Sequence, residues 1–423
     1  MPRHPVTSRL LPRMLSAALL LLNGSCLHDP AASRPAPTPP APIVLLISID
    51  GFRADYITRS GAVRLRALAA SGVRAERLVP SFPSKTFPNH YTLITGLYPE
   101  HHGIVANTMY DASLGKTFSI PDTSITHDPR WWGGEPLWNT VERQGKKAAS
   151  YFWVGSDIRI DGRLPTWYRA YDSKVPDETR VRTVLEWLSM PRGTGPAFIS
   201  LYFSDVDDAG HAFGPESPQV DSAIARVDRM IGAVVDGLTE HGLGNQVDIV
   251  VVSDHGMTAL AADRTIYLDD YIDLAKVQVI DMSPVGAIVP AAGQELDVYA
   301  KLKGAHPHLQ VFRKGEVPAR LHFSASARIT PLVAVADEGW TIATRASVER
   351  NGPPKGGAHG YDNLLPSMGA LFVASGPDFR QGVVVPPFQN IHVYALLAGL
   401  LEVTPAPNDG SRDSTRMLLR PHR

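Results

Sequence analysis

Ile43–Asp50 reads IVLLISID, and its grammar returns in Ala197–Asp207 (AFISLYFSDVD) and Asp248–Gly256 (DIVVVSDHG). Each is a continuous apolar run, rich in Ile, Val, Leu or Phe, that ends in acidic residues. Runs without polar alternation are what strands covered on both faces require. They predict an α/β fold built on a mostly parallel central sheet with helices on both faces. The clearest helix is Asp221–Leu238, where Ile224, Val227, Ile231, Val234 and Leu238 recur at helical spacing. A further strand is expected at Ala370–Ala374. The stretch from about 260 to 357 lacks the strand–carboxylate pattern and is rich in Pro and Gly, so a small inserted subdomain is expected within it.

The 423 residues carry 41 Lys and Arg against 42 Asp and Glu, with 44% hydrophobic residues. That balance argues against disorder, against a polytopic membrane protein and against a stable nucleic-acid partner gripped by bulk positive charge. No protein partner is inferable. Cys26 is the only cysteine, which excludes intrachain disulfides and cysteine-built metal sites. Any metal site must use Asp, Glu and His.

Outward from the first strand, the chain opens with Arg3, Arg9 and Arg13 ahead of the apolar run Met14–Leu22, then Asn23-Gly24-Ser25-Cys26. Basic, apolar and small-residue segments in that order read as a secretory signal over residues 1–26. Cys26 stands where a bacterial lipoprotein is acylated, although Asn23 occupies a position usually aliphatic. A lipid anchor to the membrane and plain cleavage into the periplasm both stay open. Residues 27–42 read as a Pro/Ala-rich tether, residues 43–412 as the folded domain and residues 413–423 as a tail.

In a parallel sheet, functional groups collect outside the carboxyl ends of the strands. Three separate strands deliver Asp50, Asp207 and Asp254 to that edge. One Asp after a strand is usually a cap or turn residue, but three, two of them beside histidines, are harder to dismiss. His211 lies one helical turn after Asp207, His255 adjoins Asp254, and His359 sits in the glycine-rich run Gly356–Tyr361. Three Asp and three His without Cys suit two zinc ions better than magnesium, which prefers oxygen and water. Thr86, followed by Pro88, suits a helix N-cap. The same place would let its hydroxyl touch a bound phosphate, or act as a metal-activated nucleophile.

Read together, LLISIDGFRADYI, PSFPSKTFPNHYTLITGLYPEHHGIVAN, DVDDAGHAFGP, VVSDHGM, GGAHGYDN, MGALFVASGPDF and TPAPNDG run in order over nearly all of the chain after the tether. In these motifs the chain resembles the nucleotide pyrophosphatase/phosphodiesterases of the alkaline phosphatase superfamily, the group that includes autotaxin. The resemblance implies an alkaline-phosphatase-like sheet and two zinc ions, one held by Asp207, His211 and His359, the other by Asp50, Asp254 and His255. It also implies Thr86 as nucleophile and ligand of the second ion, and Asn107 as a donor to a phosphoryl oxygen, helped by the Phe87 N–H. Phe87 and Tyr202 match aromatics that sandwich a nucleotide base, and Tyr168 and Tyr171 lie near a further one.

The implied activity is hydrolysis of nucleotide phosphodiester and pyrophosphate bonds to nucleoside 5′-monophosphates through a phosphothreonine. The alternatives are a lipid or choline phosphodiester hydrolase of the same family and a non-catalytic surface zinc-binding protein. The disulfide-rich modules and calcium loop of vertebrate members have no counterpart here, so a stand-alone catalytic domain is expected. Ser84–Pro88 also lacks the C/S-x-P-x-R pattern of a sulfatase.

Overall fold

The computed structural model describes residues 43–191 and 193–421. The expected leader, the tether and Cys26 lie outside the described residues.

The central sheet has eight strands. In chain order they are β1 (Ile43–Ile49), β2 (Val73–Ala75), β3 (Ala148–Tyr151), β4 (Trp167–Arg169), β5 (Phe198–Phe203), β6 (Val247–Val252), β7 (Phe372–Ser375) and β8 (Val383–Val385). Across the sheet the order is β8-β2-β7-β6-β1-β5-β3-β4. All neighbours are parallel except β7, which runs antiparallel to both β6 and β2. The sheet is therefore mostly parallel, with the late strand expected near Ala370 as its reversed member.

Alternate residues of β1 feed two cores. Val44 and Leu46 face one, and Leu45, Ile47 and Ile49 the other, each 0% exposed. Helices cover both: Thr86–Thr95 (α1) and His392–Leu400 (α2) one face, Asp177–Leu188 (α3) and Pro218–Glu240 (α4) the other. The start of α4 is set by Pro218 in the first turn and by Ser217, whose Oγ accepts from the Val220 N–H.

Residues 260–357 hold a separate four-stranded antiparallel sheet, with strands Val277–Asp281, Val285–Pro290, Leu309–Arg313 and Leu332–Ala336. Its core of Ile288, Leu309, Leu332 and Ile342 also takes in Tyr361 and Met368. The segment after Arg412, expected as a tail, instead packs inward. Asp413–Leu418 form a 3-10 helix, Thr415 and Leu418 are fully buried, and Leu419 bridges Phe379. The apolar run Met417-Leu418-Leu419 supplies the buried surface that a solvated tail would lack.

At the amino end of β6, Asp248 is fully buried. Its Oδ1 accepts from the Asp378 N–H at 3.2 Å, while Oδ2 has no partner. Burial, with the Asp378 charge beside it, pushes the carboxyl up to about 7. A raised folded-state pKa costs no stability below about pH 4, where both states are protonated. The cost grows as pH rises towards 7, because only the unfolded state releases the proton early. Asp248→Asn abolishes that titration and keeps an oxygen to accept from the Asp378 N–H. The variant should match the parent in urea unfolding at pH 4 and exceed it by about 1–3 kcal/mol at pH 8. Equal gaps at both pH values would contradict the burial argument.

Candidate metal centre and nucleophile

Because β1, β5 and β6 are parallel and in register, with Ile49 beside Phe203 and Ser48 beside Val252, their carboxyl ends share one edge. Asp50 follows β1 directly. Asp207 lies in the first turn of the helix Asp205–Phe213 (written α3′, between α3 and α4), and Asp254 follows Ser253 after β6. Close approach is needed here. Gly51 has φ +65°, and a Cβ there would stand 2.9 Å from the Asp207 Cα. A Cβ on Gly356 would stand 2.0 Å from the His211 carbonyl oxygen. Glycine at these two positions lets the β1 turn and the His359 loop close on α3′.

Two ligand groups result. Asp207, His211 and His359 form one, and Asp50, Asp254 and His255 the other, each with its donor atoms within 4.8 Å of one another. The His255 and His359 rings stack with centroids 3.5 Å apart, so the two groups adjoin. All six residues singled out in the sequence are brought together. The second group is buried throughout, whereas the His211 side chain in the first is 45% exposed, which leaves that side open to solvent.

The hydrogen bonds fix what each donor presents. His211 Nδ1 donates to the Gly357 carbonyl at 2.9 Å, His359 Nδ1 to the Ser84 carbonyl at 2.9 Å, and His255 Nδ1 to the Gly256 carbonyl at 2.8 Å. A neutral imidazole protonated at Nδ1 turns a bare lone pair outward at Nε2, the arrangement of a metal-bound histidine. His211 Nε2 and His359 Nε2 accordingly meet at 3.1 Å, two lone pairs that only a cation between them reconciles.

The carboxylates follow the same logic. Tyr202 Oη donates to Asp50 Oδ2 at 2.7 Å, and the Gly51 N–H donates to Asp254 Oδ1 at 3.2 Å. Of the other oxygens, Asp50 Oδ1 and Asp207 Oδ1 are buried without a hydrogen-bond partner, and Asp254 Oδ2 faces only His255 Nε2 at 3.0 Å and His90 Nδ1 at 3.3 Å. Buried unpaired oxygens are costly unless a cation satisfies them. The donor set of three carboxylates, three imidazoles and a hydroxyl fits zinc.

Electrostatics agree. Burial, and then the charges of Asp254 and Asp207, hold the Asp50 carboxyl well above its usual range, and burial raises Asp207 to about 7. Burial opposes the charge on His255, but Asp254, Asp50 and Asp207 outweigh it and carry the imidazole up to about 10, so without a metal ion a proton takes the Nε2 position that an ion would occupy. The pocket has an excess of negative charge that pulls in positive charge.

Thr86 departs from the sequence expectation. Lys85, not Thr86, holds the cap position, and Thr86 is the first residue of α1. Pro88 is still inside the first turn, where its missing N–H costs nothing. Relieved of capping, the Thr86 hydroxyl lies 3.2 Å from His255 Nε2. The Phe87 N–H donates to Asn107 Oδ1 at 3.0 Å, which assigns Nδ2 as the outward donor of that amide.

The sequence model of the family described as Type I phosphodiesterase / nucleotide pyrophosphatase matches residues 44–362. The chain belongs to that family. Ectonucleotide pyrophosphatase/phosphodiesterase family member 3 of Rattus norvegicus is 39% identical over 90% of this chain and 44% of its own length. Family member 1 of Homo sapiens is 38% identical over 94% of this chain and 44% of its own length. The chain thus spans less than half the length of these curated relatives. It covers 100% of the structure of murine ectonucleotide pyrophosphatase/phosphodiesterase 5, solved as an inactive threonine-to-alanine variant in complex with AMP. That likeness has a TM-score of 0.85 at 38% identity over 90% of this chain.

Within this type I phosphodiesterase fold, the aromatic residues take distinct places. Phe87 is partly buried against Phe118 and Trp132, with centroids 5.9 and 6.2 Å away. Tyr202, whose hydroxyl is committed to Asp50, meets His90 and Tyr171 in edge contacts at 5.3 and 6.2 Å. Tyr171 is 55% exposed and Tyr168 37%. Sequence reasoning placed Tyr171 only near a family aromatic, in a polar loop without periodicity, and left His90, inside the Thr86 motif but outside any ligand spacing, without a role.

Proposed function

We propose that the chain is a zinc-dependent phosphodiesterase that cleaves nucleotide phosphodiester and pyrophosphate bonds to nucleoside 5′-monophosphates through a phosphothreonine at Thr86. The observation that carries this reading is the Thr86 hydroxyl, set at a helix start beside two donor groups that demand cations. Divalent ions bound there supply charge that favours the ionised hydroxyl and offsets the phosphoryl oxygens. An inactive threonine-to-alanine variant in the murine relative supports the choice of nucleophile.

Thr86 Oγ1 forms a bond to phosphorus as the bond to the departing oxygen breaks, and the departing group leaves as an alcohol or a phosphate. Water then forms the second bond to phosphorus, Thr86 Oγ1 departs, and the hydroxyl is restored. The positive end of the helix dipole at the start of α1 favours the anion. The Asn107 Nδ2 donates to a phosphoryl oxygen as charge develops. The expectation that the Phe87 N–H joins it is revised, because that N–H is spent aiming Asn107. A neutral amide and an apolar Phe87 beside the nucleophile suit the single charge of a diester.

For the base, Phe87 forms one wall. On the other side Tyr202 is tied to Asp50, so Tyr171 is the exposed ring available to a base, with Tyr202 behind it. The leader supports a further reading, that the chain is exported by a bacterium and works in the periplasm or lipid-anchored at Cys26.

The test is a side-by-side assay of a thymidine 5′-monophosphate aryl ester and an aryl phosphocholine. The nucleotide ester should be cut with the higher kcat/KM. Preference for the choline ester would move the reading to lipid or choline diesters, and hydrolysis of neither would end it.

A further inference from the structure

Among the described residues, His90 is the one fully buried imidazole that touches the site without belonging to either ligand group. It lies on α1, four residues after Thr86 and therefore on the same helix face. Its Nδ1 is 3.0 Å from the Thr86 carbonyl oxygen and 3.3 Å from Asp254 Oδ2, both acceptors, so Nδ1 carries the proton. Its Nε2 is 2.8 Å from Ser48 Oγ on β1, a hydroxyl able to donate to the bare nitrogen. Trp153 and Tyr202 pack against the ring in edge contacts, each at 5.3 Å. Ser48 thus locks the tautomer, and the locked ring holds the backbone of the nucleophile while standing behind a ligand of the second ion.

We propose that His90 is a positioning residue: its Nδ1–H, fixed by Ser48, grips the Thr86 carbonyl and holds the first turn of α1 so that the Thr86 hydroxyl stays aimed at the metal centre. This rests on the reading of Thr86 as nucleophile. The geometry separates the role of the donor from that of a filled space. Asparagine places an amide N–H where Nδ1 stands, whereas glutamine places one where Nε2 stands.

The zinc-loaded full chain is compared with His90→Asn and His90→Gln in steady-state kinetics on a thymidine 5′-monophosphate aryl ester, after zinc content is matched. Amide hydrogen exchange is followed over residues 85–91. His90→Asn should keep at least about a third of kcat. His90→Gln should lose about 10–100-fold in kcat at nearly constant KM, with faster exchange in the first turn of α1. Equal loss in both variants would assign His90 to packing and overturn the proposal, as would wild-type behaviour in both or a better glutamine variant.

If His90→Gln does not fold, Ser48→Ala replaces it, leaving the ring in place and removing the lock. A several-fold fall in kcat with faster exchange supports the proposal, and no change in either overturns it. The exchange contrast does not depend on chemistry at Thr86. An active Thr86→Ala control would sink the nucleophile reading, while the exchange data would still judge the role of His90.

Discussion

Thr86→Ala should abolish turnover of nucleotide diesters, with a fall in kcat on the order of 10⁴-fold or more, while zinc content and fold are kept. The magnitude follows from losing the attacking atom itself. What remains is the general electrostatic help of the cations, the helix start and Asn107, which cannot replace a covalent step. The fold should survive because the Thr86 side chain caps nothing: Lys85 is the cap residue, and the hydroxyl faces His255. Alanine at a first-turn helical position costs little, within about 1 kcal/mol. Thr86→Ser should recover part of the rate, since it restores the hydroxyl without the methyl that limits rotation. Two displacements also imply net retention at phosphorus with a chiral thio-diester. Near-full activity of the alanine variant, or an inverted product, would remove the covalent threonine from the mechanism.

Exhaustive chelation should silence the enzyme just as completely, and two equivalents of zinc should restore it where magnesium does not. The reason is visible in the unpaired groups: Asp50 Oδ1 and Asp207 Oδ1 are buried without a hydrogen-bond partner, and two histidine Nε2 atoms meet at 3.1 Å. Imidazole donors, two in one group and one in the other, favour zinc over magnesium, which prefers oxygen and water throughout. The same ions should stabilise the fold by mass action, since the unfolded chain offers no assembled site. Free zinc at a hundred times its dissociation constant adds about 2.7 kcal/mol per site. Denaturant unfolding with and without zinc, alongside activity, measures both effects. Activity that ignores chelator, or stability that ignores zinc, would be inconsistent with a bimetal centre.

The parts of the site that were legible were those with a local signature. A strand buried on both faces must be apolar throughout, so β1, β5 and β6 announced themselves, and their shared direction placed Asp50, Asp207 and Asp254 at one edge. The Asp207–His211 pair was readable because one helical turn aligns residues four apart. Thr86 was readable as a helix start only to within one residue, because helix ends are decided by competition between neighbouring hydrogen bonds. Tyr202 was recognisable as an aromatic near the cleft, but nothing in its neighbourhood in sequence points to Asp50, 152 residues away.

From the chain alone came the fold class, the ligand types, the nucleophile candidate and the family resemblance, because apolar periodicity and motif text are properties of neighbouring residues. The tertiary structure alone decided which nitrogen of each histidine faces the cations, which oxygen of each aspartate is already spoken for, and that the Phe87 N–H serves Asn107. It also decided that Leu418 packs inward rather than trailing in solvent. These outcomes turn on contacts between residues far apart in sequence, where one backbone carbonyl, such as that of Gly357 or Ser84, sets the protonation of an imidazole reached only by folding.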